Sequence, residues 1–269
     1  MSGRTFLPAL LLCGLSLQAQ ESDVVKVPLT DPSRPATLKV SLLHGSITVR
    51  GYDGKEVIVE RGGKSRSSSS SRRVPEKAKG LRRIDNNRRD LTIEEQGNTV
   101  QVSSGHNSEG DIVIQTPRQT SLNLQLTNGG GITVENIEGE IDANVTNGFL
   151  TLRNISGSVV VHALNDDITA TFDKVTPNKP MSFSSLNGDI DVTLPADTRA
   201  RMKLKSDNGE IYTDFDLTLE SSRAPVEEAR STRGRYRIRM DRTVYGAING
   251  GGPDFQFTSL NGKIYIRKK

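Results

Sequence analysis

Acidic side chains recur through the middle of the chain, in short segments that repeated structure could bring side by side. They are Glu135, Glu138, Glu140, Asp142, Asp166, Asp167, Asp189, Asp191 and Glu210. Carboxylates on neighbouring strands can bind a hard cation such as calcium, and a pair of them can act as acid and base in glycoside cleavage. The third interpretation, which we favour, is a solvated face that keeps sheet edges from pairing.

Other reactive groups are sparse. His44, His106 and His162 lie far apart and show none of the short spacings typical of zinc sites. Cys13 is the only cysteine, so disulfides and thiolate nucleophiles are not expected in the mature protein. The serines lack the G-x-S-x-G pattern of a nucleophile elbow. We therefore predict no catalytic residue, no metal site and no cofactor.

A strongly basic segment interrupts the chain near its first third. Residues 61–90 carry eleven Lys or Arg against three acids, whereas the whole chain has a net charge of +4. The cations proposed to contact a polyanion are Arg66, Arg72, Arg73, Lys77, Lys79, Arg82, Arg83, Arg88 and Arg89. Such a cluster attracts anionic envelope polymers, surface glycans or nucleic acid. It has no aromatic residue for base stacking, so we expect no specific nucleic acid. A solvated spacer is the alternative.

The elements that would position these groups are internal repeats. An Asn-Gly or Asn-Asp step recurs at Asn128, Asn147, Asn165, Asn187, Asn208 and Asn261, and the first five are 19, 18, 22 and 21 residues apart. The segment "LLHGSITV" around His44 resembles a degenerate early copy. Asn and Gly favour tight turns, and Asn side chains stacked in register can form a hydrogen-bonded ladder. The spacing predicts two short strands per repeat.

Strict alternation of apolar and polar residues supports this interpretation. In "ITVENIEGEIDANV" the side chains from Ile132 to Val145 alternate between an apolar and a polar face, which is typical of half-buried strands. Repeats of this length stack and bury their inner faces against their neighbours. The fold class predicted is all-β: a flattened β-solenoid with a thin, aliphatic core, since the chain has no Trp and 4% aromatic residues. An antiparallel β-sandwich is the alternative.

The chain is predicted to form one domain behind an export signal. Arg4 and the apolar run from Phe6 to Leu17 predict a signal peptide over residues 1–19. Leu12 precedes Cys13 where a lipoprotein signal has a small residue, so we expect no lipidation. A single β-repeat domain follows over residues 23–269. It contains a disordered, basic Ser/Arg-rich loop at 62–90 and a second loop at 220–235.

The repeated units "NG-x-I-x-V" and "NI-x-G-x-I-x-V" after a signal peptide resemble the bacterial "putative adhesin" β-repeat family of exported and envelope proteins. The resemblance covers most of the mature chain, best over residues 131–266, and "LKVSLLHGSITVRGYDGKEVIVE" is similar to the family's usual start. The basic insertion at 62–90 departs from the compact pattern. The resemblance implies surface adhesion and supplies no catalytic residue.

These observations predict an exported protein, periplasmic or extracellular, without a transmembrane anchor. Its expected role is non-enzymatic, in envelope structure or adhesion, with anionic envelope polymers or surface glycans as candidate partners. The alternative is a β-helical polysaccharide lyase or hydrolase that uses the outer carboxylates. The two differ in where those carboxylates lie, because catalysis needs several of them to converge in one groove.

Overall fold

The computed structural model describes residues 24–62, 91–105, 110–220, 227–230, 236–239 and 243–269. All the regular secondary structure within these ranges is β-strand. The strands are β1 (Val24–Pro28), β2 (Ala36–Tyr52), β3 (Glu56–Arg61), β4 (Leu91–Gln96), β5 (Thr99–Ser104), β6 (Ile112–Pro117), β7 (Thr120–Glu135), β8 (Glu140–Ala163), β9 (Ile168–Val175), β10 (Met181–Ser185), β11 (Ile190–Leu194), β12 (Ala200–Ser206), β13 (Ile211–Thr213), β14 (Thr218–Leu219), β15 (Glu227–Arg230), β16 (Tyr236–Arg239), β17 (Val244–Ile248), β18 (Asp254–Ser259) and β19 (Ile264–Lys268).

The chain coils into a flattened β-solenoid whose rungs pair in parallel, which confirms the predicted fold class. Each rung gives one segment to a front sheet and one to a back sheet. The front sheet stacks 36–42, 120–126, 141–145, 159–163, 181–185, 255–259 and 201–206, in that order. The back sheet stacks 47–52, 131–135, 149–153, 168–172, 190–194, 264–268 and 211–213. Parallel pairing between rungs rules out the antiparallel sandwich.

The alternating sequence pattern produces this arrangement because successive strand residues point to opposite faces. In the rung around residue 132, Ile132, Val134 and Ile137 are fully buried between the two sheets, as the alternation predicts. The polar residues that alternate with these buried ones point outward. The core therefore runs along the whole solenoid as a narrow layer shared by both sheets.

The core is less purely aliphatic than predicted. Phe172, Phe183, Phe255 and Phe257 are all fully buried in the C-terminal half. Phe183 stacks on Phe257 with ring centroids 4.9 Å apart, and Phe172 meets Phe183 edge-on at 6.3 Å. Few aromatic residues suffice here because they are concentrated in adjacent rungs.

The spatial order of the rungs differs from their order in the chain. The C-terminal rung, β18 and β19, lies between the rung of β10 and β11 and the rung of β12 and β13. Simple sequential stacking would have placed it last. The long excursion between β14 and β17 gives the chain enough length to return and enter this position.

A tight crossover delivers β18 to its position. β17 and β18 flank β12 on opposite sides, so residues 249–253 must step across one strand end. Asn249, Gly250 and Gly251 all adopt left-handed φ angles of 48°, 82° and 81°. The Asn249 side-chain amide donates to the backbone oxygens of Ala196 and Thr198 at 2.9 and 2.7 Å, which fixes the step. The sequence "NGGGP" is therefore a crossover.

Strands β5 and β6 add one more parallel rung at the N-terminal end, and antiparallel strands then close both ends of the stack. At the N-terminal end, β5 and β4 extend the front sheet, and β6, β3 and β1 extend the back sheet. At the other end, β17 and β14 extend the front sheet. Edge strands covered in this way offer fewer unpaired backbone groups for aggregation.

The predicted loops fall mainly outside the described residues. The signal peptide at 1–19 and residues 63–90 of the basic loop lie there. The loop predicted at 220–235 needs a correction, because Glu227–Arg230 is a strand, β15, paired antiparallel with β16. The two strands satisfy each other's backbone groups by this pairing.

Candidate functional surface

A ladder of asparagine side chains runs along the edge where the front sheet turns into the back sheet. Its hydrogen bonds join Asn128, Asn147, Asn165, Asn187, Asn261 and Asn208 in that spatial order, at 2.5–2.8 Å. His44 occupies the next position beyond Asn128, as expected for a degenerate copy. The predicted ladder is confirmed. The side-chain amide of each asparagine donates one hydrogen bond to the side-chain oxygen of the next, so the ladder fixes the register of the turns.

The backbone of these turns differs from the simple Asn-Gly expectation. Left-handed φ angles occur at Asn136 and Asn154, which begin the NI-x-G units between the ladder turns. None of the ladder asparagines, all of which the structure describes, has a positive φ. Glycine follows five of the six ladder asparagines, where the rungs approach closely. A Cβ on Gly262 would lie 1.9 Å from the backbone oxygen of Gly188.

A buried serine secures three of the turns. The hydroxyl oxygens of Ser185, Ser206 and Ser259 accept hydrogen bonds from the backbone N–H three residues later, at 2.8–2.9 Å. These three rungs are adjacent in space although they are not consecutive in the chain. The other ladder rungs have Leu, Val or Ala at the same position. The motif S-x-N-G therefore marks the C-terminal rungs, a signal that the sequence analysis did not use.

Several of the candidate acids hold neighbouring rungs through backbone groups. Asp166 accepts from the N–H of Gly148 at 2.7 Å, and Asp167 accepts from the N–H of Asp189 at 2.8 Å. Asp189 in turn accepts from the N–H of Lys263 at 2.7 Å. Charge-assisted bonds of this kind are among the stronger ones in proteins. These carboxylates act as caps for the next rung.

Other candidate acids form ion pairs or polar contacts on the outer face. Glu135 lies between Arg50 and Arg153 at 3.2 and 3.1 Å. Asp191 accepts from Arg267 through both carboxylate oxygens, at 2.8 and 3.0 Å, and this contact raises the pKa of the Arg267 guanidinium.

The remaining acids have local partners as well. Glu140 pairs with Lys179, and Asp142 receives hydrogen bonds from two neutral amides, those of Asn144 and Asn123. The contact of Glu138 is a backbone one, in which its N–H donates to the backbone oxygen of Arg118. In the described ranges, no group of three or more His, Cys, Asp or Glu side chains is placed to hold a metal ion.

The back sheet ends in an aromatic stack. Tyr212 and Tyr265 lie parallel with centroids 5.3 Å apart, and the guanidinium of Arg267 lies 5.3 Å from the Tyr265 centroid. The Tyr212 hydroxyl donates to Glu210, and this hydrogen bond raises the pKa of Tyr212. The outer face of the back sheet thus carries paired charges and stacked tyrosines.

The outer face of the front sheet is different in character. It carries Asn, Gln, Ser and Thr side chains, charged residues such as Asp142, Lys203 and Lys205, and an exposed strip of leucines, Leu164, Leu186 and Leu260. A shallow groove of about 520 Å³ runs over this strip and is also lined by His162. A second cavity, of about 900 Å³, lies between residues 173–178, 195–199 and 251–253. The sequence analysis did not single out either concavity.

All nine basic residues proposed to contact polyanions lie outside the described residues, and only the flanks of their segment are described. Arg61 at the end of β3 and Leu91 at the start of β4 line the same small cavity, next to His44. The segment therefore leaves and rejoins the solenoid at neighbouring points near its N-terminal end. His106 also lies outside the described residues. Within them, no helix is long and apolar enough to cross a membrane.

One family model and two solved structures are similar to this chain. The model of a family described as Toastrack DUF4097 matches residues 15–242. A solved "putative cell adhesion protein" from Clostridium sporogenes is 12% identical, with a TM-score of 0.49 over 93% of this chain and 100% of that one. A "putative adhesin" from Bacteroides fragilis is 12% identical, with a TM-score of 0.32 over 93% and 98%. No curated protein matches.

Proposed function

Because the chain belongs to the Toastrack DUF4097 family, we propose that it is a non-enzymatic, exported β-solenoid with a role in envelope structure or adhesion. The observation that carries the proposal is the use of the outer carboxylates. Asp166, Asp167 and Asp189 hold backbone groups of neighbouring rungs, and Asp191 holds Arg267. Acids engaged in this way stiffen a display surface. The export pattern at Arg4 and Phe6–Leu17 supports the compartment.

The basic segment at 62–90 is the proposed contact with anionic glycans or lipids. Its support is the charge, eleven cations against three acids over residues 61–90. Clustered cations raise the local concentration of a polyanion and speed its association, in a manner that salt screens. The segment is attached at one end of the stack, between β3 and β4.

The experiment compares the full chain with a variant in which residues 63–90 are replaced by a short Gly-Ser linker. The flanks, Arg61 and Leu91, line one cavity, so a short linker closes the gap without straining β3 or β4. Retention is measured on lipopolysaccharide vesicles, on an immobilised uronic-acid polymer and on a neutral glucan. We expect salt-sensitive retention of the full chain on the two anionic supports and little retention of the variant.

A matched control keeps the length and removes the charge, with the nine named Lys and Arg of the segment replaced by Gln. Equal retention of the parent and both variants would refute the polyanion contact. Equal binding to neutral glucan and anionic supports would instead point to the solenoid faces as the adhesive surface. Turnover of either polysaccharide by the purified protein would overturn the non-enzymatic role.

A further inference from the structure

Exposed leucines lie side by side on three adjacent rungs of the front sheet. Leu164, Leu186 and Leu260 are 42%, 37% and 37% exposed, and backbone hydrogen bonds place them in consecutive rungs. Val160, 40% exposed, lies on the same outer face. A cluster of exposed apolar side chains bordered by polar groups is typical of an interaction site. From this face we propose that the protein forms a symmetric homodimer, a property beyond the proposed envelope role.

The residues of the face form three straight rows across five rungs. The first row is Asp142, Val160, Ser182, Gln256 and Lys203; the second is Asn144, His162, Ser184, Thr258 and Lys205; the third is Thr146, Leu164, Leu186, Leu260 and Asp207. Asp142 precedes Val160 by 18 residues, the spacing that also separates the stacked Asn147 and Asn165. The middle rung of the five is the one that holds Ser182 and Leu186.

These rows are self-complementary under a two-fold rotation. A two-fold axis parallel to the strands, above the middle rung, keeps each row facing the same row of the second copy and reverses the order of the rungs. Leu186 then meets its own counterpart, and Leu164 meets Leu260. An isologous interface requires this kind of pairing between a patch and itself.

The charges of the face complement each other under the same rotation. Asp142 at one end of the first row faces Lys203 at the other end of the same row in the second copy. Asp142 holds only neutral amides, and Lys203 is in no ion pair within the part of the chain that the structure describes. In the third row, the Thr146 hydroxyl can donate to Asp207 of the second copy. Two ion pairs therefore form for each dimer.

The size of the face sets the expected strength. Five rungs at about 4.8 Å span roughly 19 Å, and five residues along each strand span about 17 Å. This footprint, about 320 Å² per copy and about 650 Å² in total, lies below the roughly 1,200–2,000 Å² of stable specific interfaces, so the dimer is weak and transient. We therefore expect a dissociation constant on the order of 1–100 µM, weakened by salt because the ion pairs lie at the rim.

The first test changes the residue on the axis. Sedimentation equilibrium of the full chain should show a concentration-dependent monomer and dimer. Leu186→Lys places two like charges against each other on the axis and should leave only monomer. The matched control is Phe149→Lys, because Phe149 is 49% exposed on the outer face of the back sheet. A parent that is monomeric well above the expected dissociation constant, or a Leu186→Lys dimer, overturns the proposal.

The second test uses charge reversal and does not depend on the folding of the leucine variant. Asp142→Lys and Lys203→Asp should each weaken homodimerisation roughly tenfold or more, since each creates two like-charge pairs. An equimolar mixture of the two variants should form heterodimers of near-parental affinity, because both ion pairs reappear between unlike copies. Within one chain, Asp142 and Lys203 lie about 19 Å apart, beyond the Debye length of about 8 Å. The expected effects therefore come from contacts between copies. Failure of the mixture to associate overturns the proposal.

Discussion

The side-chain amide of Asn261 donates to the side-chain oxygen of Asn187 at 2.7 Å, across 74 residues of sequence. Asn208 donates to Asn261 from the other side at 2.7 Å. One residue near the C-terminus therefore bridges two earlier rungs and completes the ladder. The stability of the C-terminal half should depend on this last rung, and the ladder offers the simplest place to test that dependence.

Replacing Asn187 by Ala should lower the free energy of unfolding by about 1–2 kcal/mol, because two hydrogen bonds are lost and the amides of Asn165 and Asn261 each lose a partner. Urea denaturation followed by circular dichroism measures the change. Asn123→Ala is the control, since Asn123 is an exposed asparagine outside the ladder with one long bond of 3.5 Å to Asp142. An equal effect of both substitutions would show that the ladder adds nothing.

The close approach of rungs predicts a larger effect at Gly262. A Cβ there would lie 1.9 Å from the backbone oxygen of Gly188, and neighbouring backbone cannot move aside without opening the ladder. Gly262→Ala should cost about 3 kcal/mol or more, at the upper end of overpacking effects. Gly110→Ala is the matched control, because a Cβ at Gly110 meets nothing within 4 Å. Thermal melting of both variants makes the comparison, and similar midpoints would contradict the predicted clash.

Much of this fold could be predicted from the sequence. The alternation around Ile132 and Val134 fixes which side chains are buried, and the repeat spacing predicts the rungs and the asparagine ladder. The family match confirms the resemblance seen in the repeated units. Local pattern determines these features, so one chain is enough to find them.

The order of the rungs and the front face could not be predicted in the same way. Where the C-terminal rung inserts depends on contacts between distant segments, such as Phe183 with Phe257. The one sequence feature that indicates which rungs are neighbours is the serine at the start of S-x-N-G, which occurs at Ser185, Ser206 and Ser259. The leucines at 164, 186 and 260 become a strip only after that insertion places their rungs side by side. Candidate acids likewise acquire partners from the inserted C-terminal rung, as Asp189 does from the backbone N–H of Lys263.

The stacked phenylalanines test how tightly the inserted rung is held. Phe257→Ala should destabilise the protein by about 3–5 kcal/mol, as for other buried Phe to Ala changes. A double-mutant cycle with Phe183→Ala should give a coupling of about 0.5–1.5 kcal/mol, because the two rings stack at 4.9 Å. Phe149→Ala, on an exposed ring, is the control. A coupling of zero would show that the stacking contributes nothing beyond burial.

The N-terminal end of the solenoid should show a pH dependence through Glu95. Its carboxylate accepts hydrogen bonds from the hydroxyl and the N–H of Thr30 at 2.8 and 3.1 Å and from the N–H of Asn98 at 3.0 Å. The Thr30 hydroxyl is the largest of the causes that lower the pKa of Glu95. A lowered pKa in the folded state means that the carboxylate binds its proton more weakly there than in the unfolded chain. Its contribution to stability is therefore present above the unfolded pKa, about 4.3 for Glu, and is lost as the pH falls through the folded value.

Glu95→Gln should consequently be less stable than the parent at pH 7, and the difference should shrink as the pH falls below about 4. Urea denaturation of both proteins at several pH values measures this difference directly. The control is Glu94→Gln, which removes an exposed charge from the same strand without touching Thr30. A difference between parent and Glu95→Gln that stays constant with pH would show that the hydrogen bonds to Thr30 and Asn98 do not distinguish the charged from the protonated carboxylate. The cap between β1 and β4 would then depend on packing alone.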